Sequence, residues 1–121
     1  MSQTPKTLTI FLASTPYSGQ NAETALRLAG AALAKGHTVH LFASADGVHL
    51  AQKGQRPAGV PDLPTTFSML IERGLQVQLC GSCLRFRGLG RDLLVDGAEP
   101  SSLKGLFGAI GASDAVLSLG A

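Results

Sequence analysis

Two cysteines stand three residues apart in Cys80-Gly81-Ser82-Cys83, and Arg85, Arg87 and Arg91 follow with no acid before Asp92. The thiolate is the nucleophilic form of cysteine, and it forms where positive charge or backbone N–H groups face the sulfur. A strand ends just before this segment and a helix begins in it. The orphan amides and the positive end of the helix dipole therefore point at Cys80, whose pKa is expected to fall. Gly81 puts no side chain beside that sulfur, so a second molecule has room to approach. Cys83 lies one helical turn on, on the same side, within reach of a sulfur species bound to Cys80.

Other chemistries fit less well. A lone cysteine at a strand end is ordinarily a small buried hydrophobe, and two of them framing Gly-Ser at a helix start are harder to read that way. A closed zinc site needs four ligands. Only His37, His40 and His49 remain as nitrogen donors, and two strand residues three apart point to opposite faces, so no metal is expected. No phosphate-binding G-x-x-x-x-G-K-[ST] loop is present. Gly88-Leu89-Gly90 begins a G-x-G whose third glycine would fall at Leu93, and it does not follow a strand, so no cofactor is expected. Each of the three arginines, taken singly, is equally well explained as a solvated helix face.

The elements that position the pair follow from periodicity. Thr7–Ser14 is a strand-like apolar run, and Thr15-Pro16-Tyr17-Ser18-Gly19 carries turn chemistry. A helix is expected from an N-cap at Asn21, with Ala22, Ala25, Leu26, Ala29 and Leu33 on one stripe and a stop at Lys35-Gly36. His37–Ala43 reads as a second strand. Ser44–Pro64 is a long irregular stretch broken by glycines and prolines, with a helical turn over Val48–Ala51. A second helix is expected after Pro64, capped by Thr65 or Thr66, burying Phe67, Leu70 and Ile71 and stopping at Arg73-Gly74. Leu75–Leu79 alternates as a third strand, and the cysteine segment turns helical until Gly88 and Gly90. A helix capped by Ser101 or Ser102 presents Leu103, Leu106, Phe107 and Ile110, and Ala115–Leu119 is a last strand. A further strand has room between residues 91 and 99.

Strands alternating with helices predict one α/β domain over residues 1–121: three layers, α/β/α, around a mostly parallel sheet of four or five strands. Ligands of such sheets gather at the carboxyl ends of strands. Three loops meet that condition: Ser14–Gly19, Ser44–Gly54 and Cys80–Gly90. A length of 121 residues allows one domain and not two. The net charge of +2 excludes the basic surface that drives tight nucleic-acid binding. Charged residues are 15% of the chain, against roughly 25% in typical domains, which predicts a homo-oligomer that hides apolar surface. Apolar runs of six or seven residues are too short to span a membrane. Met1–Lys6 leads into a strand without a secretory pattern, so a cytoplasmic chain with reduced thiols is expected.

The sequence resembles the DsrE/DsrF/TusD-like superfamily of small sulfur-relay proteins, and more closely its YchN-like branch. Cys80-Gly81-Ser82-Cys83 through Arg87-Gly88-Leu89 is the strongest part of the likeness. Asp46-Gly47-Val48 after the second strand, Lys35-Gly36-His37 and Gly74 before the third strand add to it. The resemblance implies a parallel sheet with flanking helices, assembly as a homotrimer or homohexamer, and a persulfide on Cys80. The expected function is a cytoplasmic sulfur carrier or sulfurtransferase component. Its catalytic residues would be Cys80 and Cys83, and its binding residues Gly81, Ser82, Arg85, Arg87, Asp46 and Gly47. Donor and acceptor proteins for sulfur would be its partners. Two alternatives stay open: a thiol–disulfide redox or sensing protein in which Cys80 attacks and Cys83 resolves, and a non-catalytic oligomeric module that binds a small anion.

Overall fold

The computed structural model describes residues 4–120; the expected run-in over Met1–Gln3 lies outside them. Strand β1 (Thr7–Leu12) leads to helix α1 (Asn21–Ala34), strand β2 (Thr38–Ala43) and a 3-10 segment (Ala45–Ala51). Helix α2 (Leu63–Glu72), strand β3 (Gln76–Cys80) and helix α3 (Gly81–Phe86) follow. A 3-10 turn (Arg91–Leu93), strand β4 (Ala98–Ser101), helix α4 (Leu103–Gly111) and strand β5 (Ala115–Leu119) complete the order. The five strands form one sheet in the order β4-β3-β2-β1-β5, and every pairing is parallel, for example Ile10 with Leu41 and Leu41 with Val77. The three-layer α/β/α expectation holds. The fifth strand lies at the end of the interval foreseen for it and beyond. Its sequence, Ala-Glu-Pro-Ser, is hidden from pattern reading because Pro100 is tolerated only on a sheet edge such as β4.

Strand alternation divides the sheet into two unequal faces. Ile10, Leu12, Val39, Leu41, Val77 and Leu79 point to one side, where Ala22, Ala25, Leu26 and Ala29 of α1 and Phe67 and Leu70 of α2 complete the core. Thr9, Phe42 and Gln78 belong to the other side, which is covered by α4: the Thr9 hydroxyl pairs with Ser113 just past that helix, and Gly105 packs against Gln78 and Ser101. The hand of parallel crossovers explains the split. The chain steps in one direction from β1 to β4, which places the connecting helices on one face. It then returns past β1 to β5, which places α4 on the opposite face. One helix covers less than two, so Leu103 and Phe107 of α4 stand 63% and 65% exposed although they were expected to share its apolar face with buried Leu106.

Helices α1 and α2 differ from the expectations at their starts and agree at their ends, while α3 and α4 start where expected. The N-cap of α1 is Gln20 and Asn21 is already helical; its amide donates to the Ser14 hydroxyl at 3.0 Å. Helix α2 begins at Leu63, before Pro64, because the Asp62 carboxylate accepts from the Thr65 N–H at 3.2 Å and from its hydroxyl at 2.8 Å. Proline is at ease in a first helical turn, where its missing N–H is not needed. Ser102 is the cap residue of α4 but makes no side-chain capping bond. Gly36 and Gly74 take the left-handed conformation that stops α1 and α2, with φ of 85° and 110°.

The segment Ser44–Pro64 is ordered where it leaves β2. Gly47, Val48, Leu50 and Ala51 are buried, and the 3-10 segment starts at Ala45 rather than at Val48. A Cβ on Gly47 would lie 2.4 Å from the Leu12 carbonyl oxygen, so only glycine lets this segment lie flat on the end of β1. Downstream, Lys53 N–H donates to Leu93 and Val95 N–H to Ala51, each at 2.8 Å, which ties the segment to residues 91–95.

Two glycine substitutions separate these requirements. Gly47→Ala is expected to cost ~1–3 kcal/mol by overpacking against backbone. Gly108→Ala, at an open helical position, is expected to stabilise by ~0.5–1 kcal/mol. Urea unfolding midpoints of the two variants check both signs.

Candidate functional site

The carboxyl ends of β2 and β3 lie side by side, and the two loops that leave them meet. Cys80 is the last residue of β3 and the N-cap residue of α3; Cys83 sits in the first turn of that helix. Both are free thiols and both are half-buried. The helix runs only from Gly81 to Phe86, because Gly88 turns left-handed at φ 67°.

Across the gap, Ser44 and Ala45 turn toward Cys83. The Ala45 N–H donates to Cys83 Sγ at 3.2 Å, and the Ser44 hydroxyl lies 3.6 Å from the same sulfur. Ala45 has φ of 50°, the left-handed region that a non-glycine residue seldom enters, and among the described residues no other non-glycine does so. That conformation costs about 1 kcal/mol or more, and it aims an amide at a sulfur atom. Burial works to raise the Cys83 pKa. Hydrogen bonds from Cys80, Ser44 and the Ala45 amide, together with the nearby Arg87 charge, outweigh it, and the pKa falls below that of an ordinary cysteine.

Arg87 joins the same two elements. Its Nε and Nη2 donate to Asp46 Oδ1 at 3.1 and 2.8 Å, while Nη1 donates to the Cys83 carbonyl at 3.1 Å. Asp46 is 60% exposed and Arg87 26% exposed. An ion pair so open to water adds little stability. Its use is geometric: it fixes the guanidinium beside Cys83 and holds the 3-10 segment against α3.

The structure thus gathers Cys80, Cys83, Asp46 and Arg87 from the expected set, and adds Ser44 and Ala45, while Gly47 packs against the end of β1. Sequence reading had no means of finding Ala45, which acts through its backbone; Ser44 was visible only as a polar residue in a loop at a strand end. Ser82 accepts from Arg85 Nη2 at 3.1 Å on the exposed side of α3. Gly81 serves close packing: a Cβ there would lie 3.1 Å from the Ser101 carbonyl oxygen of β4. Arg91 pairs with Glu99 at 2.9 Å and takes no part in the sulfur's surroundings. The loop Ser14–Gly19 engages α1 through Ser14 and Asn21 rather than the cysteines.

One expectation changes in kind. The amides of the turn after β3 were to stabilise an anion on Cys80, yet the Cys80 side chain accepts no capping bond from α3. A six-residue helix also carries a short dipole. The donors that converge on a sulfur come from the β2 loop, and they converge on Cys83. Among the described residues, no group of three or more His, Cys, Asp or Glu side chains is placed to hold a metal, and no helix is long and apolar enough to cross a membrane.

Comparison with known proteins agrees with this architecture. An uncharacterised protein of Methanopyrus kandleri is 36% identical over 110 residues, covering 91% of each chain. An uncharacterised protein of Methanocaldococcus jannaschii is 35% identical over 109 residues, covering 90% of this chain and 96% of its own. Among solved structures, the YchN protein of E. coli superposes with a TM-score of 0.87 at 26% identity, over 95% of this chain and 99% of that one. A protein of unknown function from Methanobacterium thermoautotrophicum shares the fold with a TM-score of 0.78 at 14% identity, over 93% of this chain and 98% of that one. The profile of the DsrE/DsrF-like family matches residues 6–119, the full sheet and all its helices, and the chain belongs to that family.

Proposed function

We propose that this protein is a cytoplasmic sulfur carrier that holds sulfane sulfur as a persulfide on Cys80 and passes it to a thiol of a partner protein. The observation that carries the reading is the sulfur-anion cradle beside that cysteine, in which Ala45 N–H, the Ser44 hydroxyl and Arg87 surround Cys83 Sγ. The association of the DsrE-like family with sulfur relay supports it. A donor persulfide R–S–S⁻ gives up its outer sulfur to a protein thiolate, and R–S⁻ leaves. In delivery, an acceptor thiolate attacks the outer sulfur of the Cys80 persulfide and the Cys80 thiolate leaves. No net oxidation occurs. Each step moves one sulfur atom between thiolates.

A cradle that stabilises anionic sulfur raises the share of Cys83 present as thiolate, and it makes that thiolate the better leaving group. Phe86, 85% exposed at the end of α3, offers a partner protein an apolar foothold next to the pair, with Arg85 beside it. The exposed Leu103, Phe107, Val116 and Leu117 of α4 and β5 support assembly of this chain as a homotrimer or homohexamer, since β5 is an edge strand left without cover.

A second reading has its own observation. Cys80 and Cys83 are free thiols at the N-cap and in the first turn of the same helix, the C-x-x-C spacing of a dithiol pair. Attack of Cys83 on Cys80 Sγ of the persulfide would expel sulfide and leave a disulfide, the chemistry of a dithiol redox pair.

Incubation with a persulfide donor is expected to add one sulfur atom to the parent protein, with fragmentation placing the settled sulfur on Cys80, and a thiol acceptor should remove it. No gain in the parent, or an equal gain in a Cys80→Ser/Cys83→Ser variant, would overturn the carrier reading; a disulfide with no loaded species would favour the redox one. Alkylation at each cysteine across a pH series gives a second check. Cys83 is expected to stay reactive at pH values where an ordinary thiol is protonated, and to lose that reactivity as pH falls through its lowered pKa. Ser44→Ala and Arg87→Gln each remove a stabiliser of the anion, so both should move the Cys83 midpoint upward.

A further inference from the structure

The sequence places the chemistry on Cys80, but the geometry surrounds the other sulfur. Building on the carrier reading, we infer that sulfur is received first on Cys83 and then relayed within the protein to Cys80, with Ser44, Ala45 and the Asp46–Arg87 pair positioning the receiving sulfur. Four observations converge. The Ala45 amide points at Cys83 Sγ from 3.2 Å, and the Ser44 hydroxyl lies 3.6 Å from it. Arg87 is bonded to Asp46 and to the Cys83 carbonyl, which places its charge beside the receiving sulfur. Ala45 keeps a strained left-handed conformation that serves this contact. Cys80 makes no side-chain capping bond to its own helix and stands one turn before Cys83.

The relay balances in two steps. The Cys83 thiolate attacks the outer sulfur of the donor R–S–S⁻, forming the Cys83 persulfide and releasing R–S⁻, which takes up a proton. The Cys80 thiol then gives its proton to solvent and attacks the outer sulfur of the Cys83 persulfide. The Cys83 thiolate leaves, returning to its hydrogen bonds, and the sulfur rests on Cys80. The direction follows from leaving-group strength: the sulfur that is more stabilised as an anion is the one more readily expelled. Cys83 is thus built to receive and to let go, and Cys80 to keep. The Ala45 amide and Ser44 hydroxyl play the part that fixed donors play wherever charge develops on a reacting atom.

Rapid-quench mass spectrometry with residue-level fragmentation tests the order. In the parent, sulfur is expected on Cys83 at early times and on Cys80 later. Cys80→Ser should still take up sulfur and keep it on Cys83, whereas Cys83→Ser should load Cys80 at least about tenfold more slowly, because the donors that hold the receiving sulfur then face none. Ser44→Ala retains both cysteines; it should slow the early phase and leave the final position on Cys80 unchanged, with circular dichroism confirming the fold of each variant. Sulfur on Cys80 at the earliest times, or parent-like loading of Cys80 in Cys83→Ser, would overturn the relay while leaving the carrier reading intact. Failure of the parent to take up any sulfur would overturn both.

Discussion

A single hydrogen bond, from the Ala45 amide to the Cys83 sulfur, joins the ends of two neighbouring strands and determines what the site is. Each side of it makes a demand on the fold. On the β2 side, Ala45 must turn left-handed, and the chain must then lie close enough to β1 that residue 47 has no side chain. On the β3 side, the helix must begin without delay, so that Cys83 comes round within one turn. Parallel pairing of β2 and β3 meets both demands, because it brings the carboxyl ends of two consecutive strands to the same edge of the sheet. An antiparallel pair would send one of the loops to the far edge.

The electrostatics follow from short distances and modest burial. A sulfur fully removed from water would be driven toward the neutral thiol, and a fully solvated one would gain nothing from its neighbours. Cys83 lies between these limits: burial opposes the charge, and three hydrogen bonds with a neighbouring guanidinium overcome it. The ion pair of Arg87 with Asp46 contributes through orientation. A guanidinium bonded to an exposed carboxylate is worth little as a staple, yet the bond sets where its charge stands relative to the sulfur.

Much of the architecture was legible because it depends on repeated, cooperative signals. The stripe Ala22, Ala25, Leu26, Ala29, the glycine stops at Gly36 and Gly74 and the alternation Leu75–Leu79 each report several residues acting together. The errors arose where a single competing contact decides. Asp62 caps α2 from a position that Pro64 appeared to exclude, and β4 is a four-residue edge strand whose proline masks it. At the site, Cys80, Cys83 and the basic run were evident from residue type. Which arginine serves the sulfur was not, because that depends on where Asp46 and Glu99 stand: the first takes Arg87 to Cys83, and the second holds Arg91 away. The displaced emphasis from Cys83 to Cys80 has the same origin. A helix start is readable from sequence, whereas an amide reaching in from residue 45 of another loop is not.

The unequal cover of the sheet bears on how such a site could work in an assembly. Right-handed connections commit the helices between β1 and β4 to one face and leave α4 alone on the other, so exposed apolar side chains on α4 and β5 are a consequence of strand order rather than of local sequence. The cysteines lie at the carboxyl end of β3 and the start of α3, away from the uncovered edge at β5. Copies of the chain that bury the β5 edge would therefore leave the sulfur pair at the opposite side of the sheet. There Phe86 and Arg85 on α3 remain free to meet a second protein. In the proposed carrier, this topology would keep a self-association surface apart from an exchange surface, so that the first could be permanent and the second transient.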